Sequence, residues 1–110
     1  MAKKTSNYIG EFEELVLLAI LSQGDNAYGV TILEALQEAT NRSVTIGSLY
    51  TTLSRLEEKG LVRSWLGEPT PERGGRAKRH YEINGSAQSL LREVQAARHR
   101  LESRILGGLA

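Results

Sequence analysis

The sequence predicts a mainly α fold of the α+β class, in which three helices are followed by a two-stranded hairpin and one long terminal helix. Three observations predict it. Apolar residues recur at helical spacing in four separate stretches, the period changes to strict alternation in two short runs after Gly60, and both prolines of the chain stand between those two runs. A chain of 110 residues, 40% hydrophobic but with a single Phe and a single Trp, suffices for one domain with a modest aliphatic core. The expected organisation is a flexible N-terminal arm over residues 1–10, a compact unit over 11–85 and a helical appendage over 86–110.

Residues 1–10 are polar and lack a period, so they read as an arm whose Lys3 and Lys4 either meet phosphate or are simply solvated. The first helix covers residues 11–22. Glu11, Glu13 and Glu14 fall in its first turn, where carboxylates suit the positive end of the helix dipole. Residues 15–21 are apolar on nearly every side, so other elements or a partner subunit must surround this helix, with Leu15 and Leu18 as candidate interface residues. Gly24 is the expected C-terminal cap. A second helix over 27–39, capped by Asp25 or Asn26, buries Ile32, Ala35, Leu36 and Ala39. Tyr28 in its first turn either packs over the helix start or donates to a phosphate.

The third helix opens after Thr45, a good N-cap, and stops at Lys59-Gly60, a cation followed by a residue suited to the left-handed cap. At about 100° per residue, Ile46, Leu49, Leu53 and Leu56 form a core stripe, opposite Gly47, Ser48, Thr51, Ser54, Arg55 and Glu58. The opposite side is short and hydrogen-bonding at its N-terminal end, so another surface can approach it closely. Glu57 and Glu58 lie in the other half. Such a face is either a solvated flank or the part of a helix that enters a DNA major groove.

Strands are expected over 61–66, containing Trp65, and over 79–83, where Arg79, Tyr81 and Ile83 share one face. Between them a loop bearing Pro69, Pro71, Gly74 and Gly75 carries Arg73 and Arg76 and leads into Lys78 and Arg79. Two helices joined by a short polar turn, the second with a small-residue N-terminal face, form a helix-turn-helix; an arginine-bearing hairpin one strand later suits a wing on the DNA backbone or in the minor groove. Asn84-Gly85-Ser86 breaks the second strand and caps a last helix over 87–106. Ala87, Leu90, Val94, Ala97 and Leu101 step by three and four as in a coiled-coil seam, which Leu91 and Ile105 widen. A helix this long on so small a domain calls for a second copy of the chain as its partner. The fold expected is therefore a winged helix-turn-helix with a two-stranded wing and a long C-terminal dimerisation helix.

Composition narrows the chemistry. No cysteine is present, which removes disulfides, thiolate metal sites and cysteine nucleophiles, and the two histidines, His80 and His99, stand far apart. No metal and no cofactor are expected. The apolar run over 15–21 is too short for a bilayer span and follows no cleavable signal pattern, so a cytoplasmic protein is expected. The net charge of +1 hides an asymmetry: residues 1–62 hold five basic and eight acidic side chains, residues 63–110 nine and five.

Four segments carry a family resemblance: FEELVLLAIL in the first helix, the pair Tyr28-Gly29, GSLYTTLSRLEEKGLV over 47–62, and KRHYEING over 78–85. On these residues the chain resembles the PadR-type transcriptional regulators, most closely their short form with a single C-terminal helix, over about residues 10–106. The resemblance implies a homodimeric, winged-helix DNA-binding protein, usually a repressor, whose last helix pairs with the partner's first. It implies DNA contacts from the helix bearing Ser48, Tyr50, Thr51 and Arg55 and from the wing. Thr51 stands where many members have Pro, and the only Trp is in the wing strand, not in the last helix where some drug-sensing members stack planar ligands.

The expected function is thus sequence-specific binding of a palindromic operator in double-stranded DNA. Ser48, Thr51 and Arg55 are assigned to base edges, and Tyr28, Tyr50, Arg73, Arg76 and Lys78 to phosphates. A small-molecule effector at the dimer interface is expected by family analogy. A second class, a winged-helix module that binds an acidic protein surface, uses the same face and loop. Catalysis is disfavoured, because no acid–base pair, nucleophile elbow or phosphate-cradling loop occurs.

Overall fold

A computed structural model describes residues 8–68 and 77–105 of the chain. The elements run α1 (Glu11–Gln23), α2 (Gly29–Thr40), α3 (Ile46–Glu58), β1 (Val62–Leu66), β2 (Arg79–Ile83) and α4 (Gly85–Glu102). β1 and β2 pair antiparallel, with Val62 opposite Ile83 and Leu66 opposite Arg79. The fold is the winged helix that the alternating and helical periods predict. A short stretch between α1 and α2 joins the sheet as well: the Tyr81 amide donates to the Ala27 carbonyl, and Tyr28 bridges to His80.

α1 runs through the middle of the domain because it is apolar all round. Val16, Leu17, Ala19 and Ile20 are buried with Ile32 and Leu36 of α2, Leu49, Leu53 and Leu56 of α3, and Val62, Tyr81 and Ile83 of the sheet. Its dipole-facing acids have further uses. Glu13 accepts from the Gly10 amide at 3.0 Å and pairs with Lys59 at 2.8 Å; Glu14 pairs with Arg98 at 2.6 Å, and Glu11 with Arg42 at 2.8 Å. The first turn of α1 therefore ties down the end of α3, the body of α4 and the link after α2. Gly24 ends α1 with φ +57°, as its expected role as a cap requires.

Four expectations need correction. Asp25 and Asn26 do not cap α2; they lie in a 3₁₀ turn, and Tyr28 is the N-cap, its amide donating to Thr31 Oγ1 at 3.1 Å. Ala39 is exposed, because it lies in the last turn of α2, beyond Leu36, the last residue that this helix buries. Ile46 is 42% exposed instead of buried, because it stands in the first turn of α3, ahead of the residues that reach the core. α4 ends at Glu102, not at residue 106, and Ile105 lies beyond it. Asn84 caps α4 as expected, its Oδ1 accepting from the Ala87 amide at 2.9 Å, while its Nδ2 donates to the Gly60 carbonyl and fixes the start of α4 to the end of α3.

Candidate nucleic-acid interface

α3 is divided lengthwise. Leu49, Thr52, Leu53 and Leu56 are buried, whereas Gly47, Ser48, Thr51, Ser54 and Arg55 are exposed on one side. Thr45 organises the leading end: its Oγ1 accepts from the Ser48 amide at 3.1 Å, and Ser48 Oγ donates back to the Thr45 carbonyl at 3.1 Å. The Ser48 proton is thereby committed, leaving its oxygen as an acceptor toward the outside. Nothing lies within 4 Å of where a Gly47 side chain would begin, so the backbone itself is open to a neighbouring surface. Among the described residues Arg55 enters no salt bridge, unlike Arg42, Lys59, Arg63 and Arg98.

Beside this face a row of aromatic rings joins the wing to the start of α2. The Arg63 guanidinium lies 4.7 Å from the Trp65 ring centroid, Trp65 stacks on His80 at 5.7 Å, His80 meets Tyr28 edge-on at 5.3 Å, and Lys78 Nζ lies 4.4 Å from the Tyr28 centroid. Each end of the row is a cation over a ring face. Tyr28 thus packs over the helix start, one of the two roles left open by its position in the sequence.

Tyr50 leans across to α2. Its hydroxyl occupies the space a side chain at Gly29 would need, with Tyr50 Cζ only 3.0 Å from that point, so the Tyr28-Gly29 pair has a steric cause. A cavity of about 410 Å³ opens there, lined by Tyr28, Val30, Tyr50, Lys78 and Arg79 among others. Two phenols, two cations and the N-terminus of α2 converge on it, a combination suited to an anionic oxygen. Below it Arg79 donates to Ser64 Oγ at 3.1 Å, and Ser64 donates to Glu57 at 2.7 Å. Burial chiefly, with Tyr50 adding to it, pushes the pKa of the Tyr81 phenol on β2 above its ordinary value.

The structure brings Ser48, Tyr50, Thr51 and Arg55 onto the exposed part of α3 and sets Tyr28 and Lys78 together next to Tyr50. Arg73 and Arg76 lie outside the described residues. Of the candidate interface residues, Leu15 and Leu18 on α1 and Leu90, Val94 and Ala97 on α4 are half-buried, while Leu101 is 63% exposed and Ile105 is also exposed. Sequence reasoning missed the exposure of two apolar residues, Ile46 and Val30, both in first helical turns. The signal was available for Ile46: a residue immediately after an N-cap precedes the turns that reach the core.

No curated protein matches the chain. A model of the transcriptional regulator PadR-like family matches residues 17–93. Among solved structures, the chain is similar to a PadR-like transcription factor from Bacteroides fragilis, with 26% identity, a TM-score of 0.68 and 84% of each chain covered. It is also similar to a PadR-like transcriptional regulator from Bacillus cereus, with 20% identity, a TM-score of 0.69, and 87% of this chain and 88% of that one covered. A third likeness is to the Orc1 protein of Aeropyrum pernix in complex with DNA, at 23% identity and a TM-score of 0.62, over 80% of this chain but 25% of that one.

Proposed function

Because the chain belongs to the PadR-like family of transcriptional regulators, we propose that it works as a homodimeric repressor that binds a palindromic operator through α3 and the wing. One observation carries the reading: α3 buries its leucines and leaves Gly47, Ser48, Thr51 and Arg55 facing outward, with Arg55 held by no internal carboxylate among the described residues. Ser48, Thr51 and Arg55 read base edges, Arg55 as the bidentate donor to a guanine. Tyr28, Tyr50 and Lys78 hold backbone phosphates at the cavity between α2 and β2, and Arg73 and Arg76 extend the contact along the wing. A quarter of the Orc1 protein, whose structure contains DNA, is similar in fold to this chain.

Functionally, residues 11–85 read DNA and residues 86–110 pair the copies. α4 is anchored in the core by Ala87 and Leu91, its seam residues Leu90, Val94 and Ala97 are half-buried, and beyond them Leu101 and Ile105 are exposed. A partner's α1, through Leu15 and Leu18, covers that seam. A small-molecule effector binds at that dimer interface, where the two copies enclose aliphatic side chains of α1 and α4. A ligand there changes the spacing of the two recognition helices and with it the affinity for DNA.

Selection of bound sequences from a random duplex pool tests the reading. The expected result is an enriched palindrome whose half-sites lie about one helical turn, or a multiple of it, apart, with sedimentation of the free protein as a dimer. A monomer that enriches no sequence would overturn it.

A further inference from the structure

We propose that Ile46 is a base-reading residue whose side chain packs on the 5-methyl group of a thymine, so that each operator half-site contains one A·T pair recognised through that methyl. The inference rests on the DNA-binding reading above and adds to it a contact that the polar face of α3 does not supply.

Ile46 is the first residue of α3 and is 42% exposed, although its spacing from Leu49 and Leu53 marks it as a core position. Its exposure has a geometric cause. The Thr45 cap starts the helix one turn before the layer formed by Leu49, Leu53 and Leu56, and Val44, not Ile46, is the residue of this link that packs against the core. The fold thus leaves a branched apolar side chain on the leading turn of the helix that enters the groove, where residues reach base edges first. Its neighbours allow the approach. Gly47 adds no bulk, with nothing within 4 Å of where its side chain would start, and the Ser48 hydroxyl is folded back onto the Thr45 carbonyl.

The major groove offers one apolar group, the thymine methyl, and an exposed aliphatic side chain gains by covering it. The same base pair presents the adenine N6 amino donor. Ser48 stands two residues on and points the other way round the helix; its Oγ, its own proton committed to Thr45, is left as an acceptor for an adenine N6 or cytosine N4 amino group of an adjoining pair. The leading turn of α3 therefore prefers A·T chemistry, and Arg55, two turns along, prefers guanine.

Deoxyuridine removes the methyl and changes nothing else in the groove, so it isolates the contact. With the full chain and the operator obtained by selection, each thymine is replaced singly by deoxyuridine, and affinities are measured for the wild type, Ile46→Ala and Ile46→Val. At one thymine per half-site the wild type is expected to weaken about fourfold, what burying one methyl-sized group is worth. Ile46→Ala should be insensitive to that replacement, and Ile46→Val, which keeps a methyl in reach, should recover part of the sensitivity. Melting temperatures of the three proteins should agree. If an operator is bound but wild type and Ile46→Ala respond alike to every deoxyuridine, or the half-site holds no thymine, the inference fails while the parent reading stands. A pool that enriches no sequence removes both.

Discussion

The first turn of α1 and the outer side of α3 are both rich in polar residues, and the structure uses them in opposite ways. Each carboxylate of α1 is matched to a cation from another element: Glu11 to Arg42, Glu13 to Lys59, Glu14 to Arg98. The exposed side of α3 ends in Arg55 with no such match among the described residues, and at its leading end the hydroxyls of Thr45 and Ser48 bond to each other's backbone. Charge already paired within the chain holds the fold in place; charge left unpaired on a rigid helix is available to something outside it. Substitutions in the two regions should therefore separate stability from DNA recognition.

The largest effect is expected at Glu13, whose side chain is 9% exposed against 21% for Lys59. Glu13→Ala leaves the half-buried Lys59 ammonium without a counter-charge, with the Tyr8 carbonyl at 2.9 Å as its remaining acceptor, and also removes the acceptor for the Gly10 amide. Together these should cost about 3 kcal/mol, a fall in melting temperature of roughly 10–20 °C for a domain of this size. Glu13→Gln keeps the acceptor and should lie between the two. Thermal unfolding followed by circular dichroism measures both, and a Glu13→Ala protein that melts with the wild type would show that the pair contributes nothing.

Arg55→Ala should do the reverse. Exposed, and in no salt bridge among the described residues, Arg55 can be removed with little change in melting temperature, while discrimination at one base pair per half-site falls by about 1–3 kcal/mol. Fluorescence anisotropy with the selected operator and its single-base variants reads this directly. An equal loss on operator and random DNA would move Arg55 from the bases to the phosphates and blur the contrast with α1.

Why one region was legible in the sequence and the other less so follows from the same contrast. Helical period and the Thr45 cap located α3 and its outward face, because periodicity reports the direction of the core. The strand β2 was placed at its observed ends for the same reason, since Tyr81 and Ile83 alternate inward. Period says nothing of what a side chain meets forty or eighty residues away. The acids of α1 were read only against the local helix dipole, and their ties to Lys59 and Arg98 depend on packing that no local pattern encodes. Ile46 was misplaced by the rule that located its neighbours: the stripe was extended one turn beyond the core. The row of rings from Trp65 through His80 to Tyr28 depends on strand register and on the bridge between Tyr28 and His80, both of them tertiary.

The smallest effect is expected at the exposed member of the α1 set. Arg42 donates to both carboxylate oxygens of Glu11, at 2.8 and 3.2 Å, and that hydrogen bonding, ahead of the Coulomb attraction, lowers the Glu11 pKa from its ordinary value. A depressed folded pKa means that the stabilisation is fully present above the unfolded value and is lost as the pH falls through the folded one. With both side chains about half exposed or more, solvent and salt screen most of it. Glu11→Gln should therefore lower the melting temperature barely detectably at neutral pH and low salt. That difference should shrink as the pH drops through the acid range, and it should vanish in high salt. A difference that persists in acid would mean that Glu11 acts through packing, and the first turn of α1 would then lose one of its three electrostatic ties.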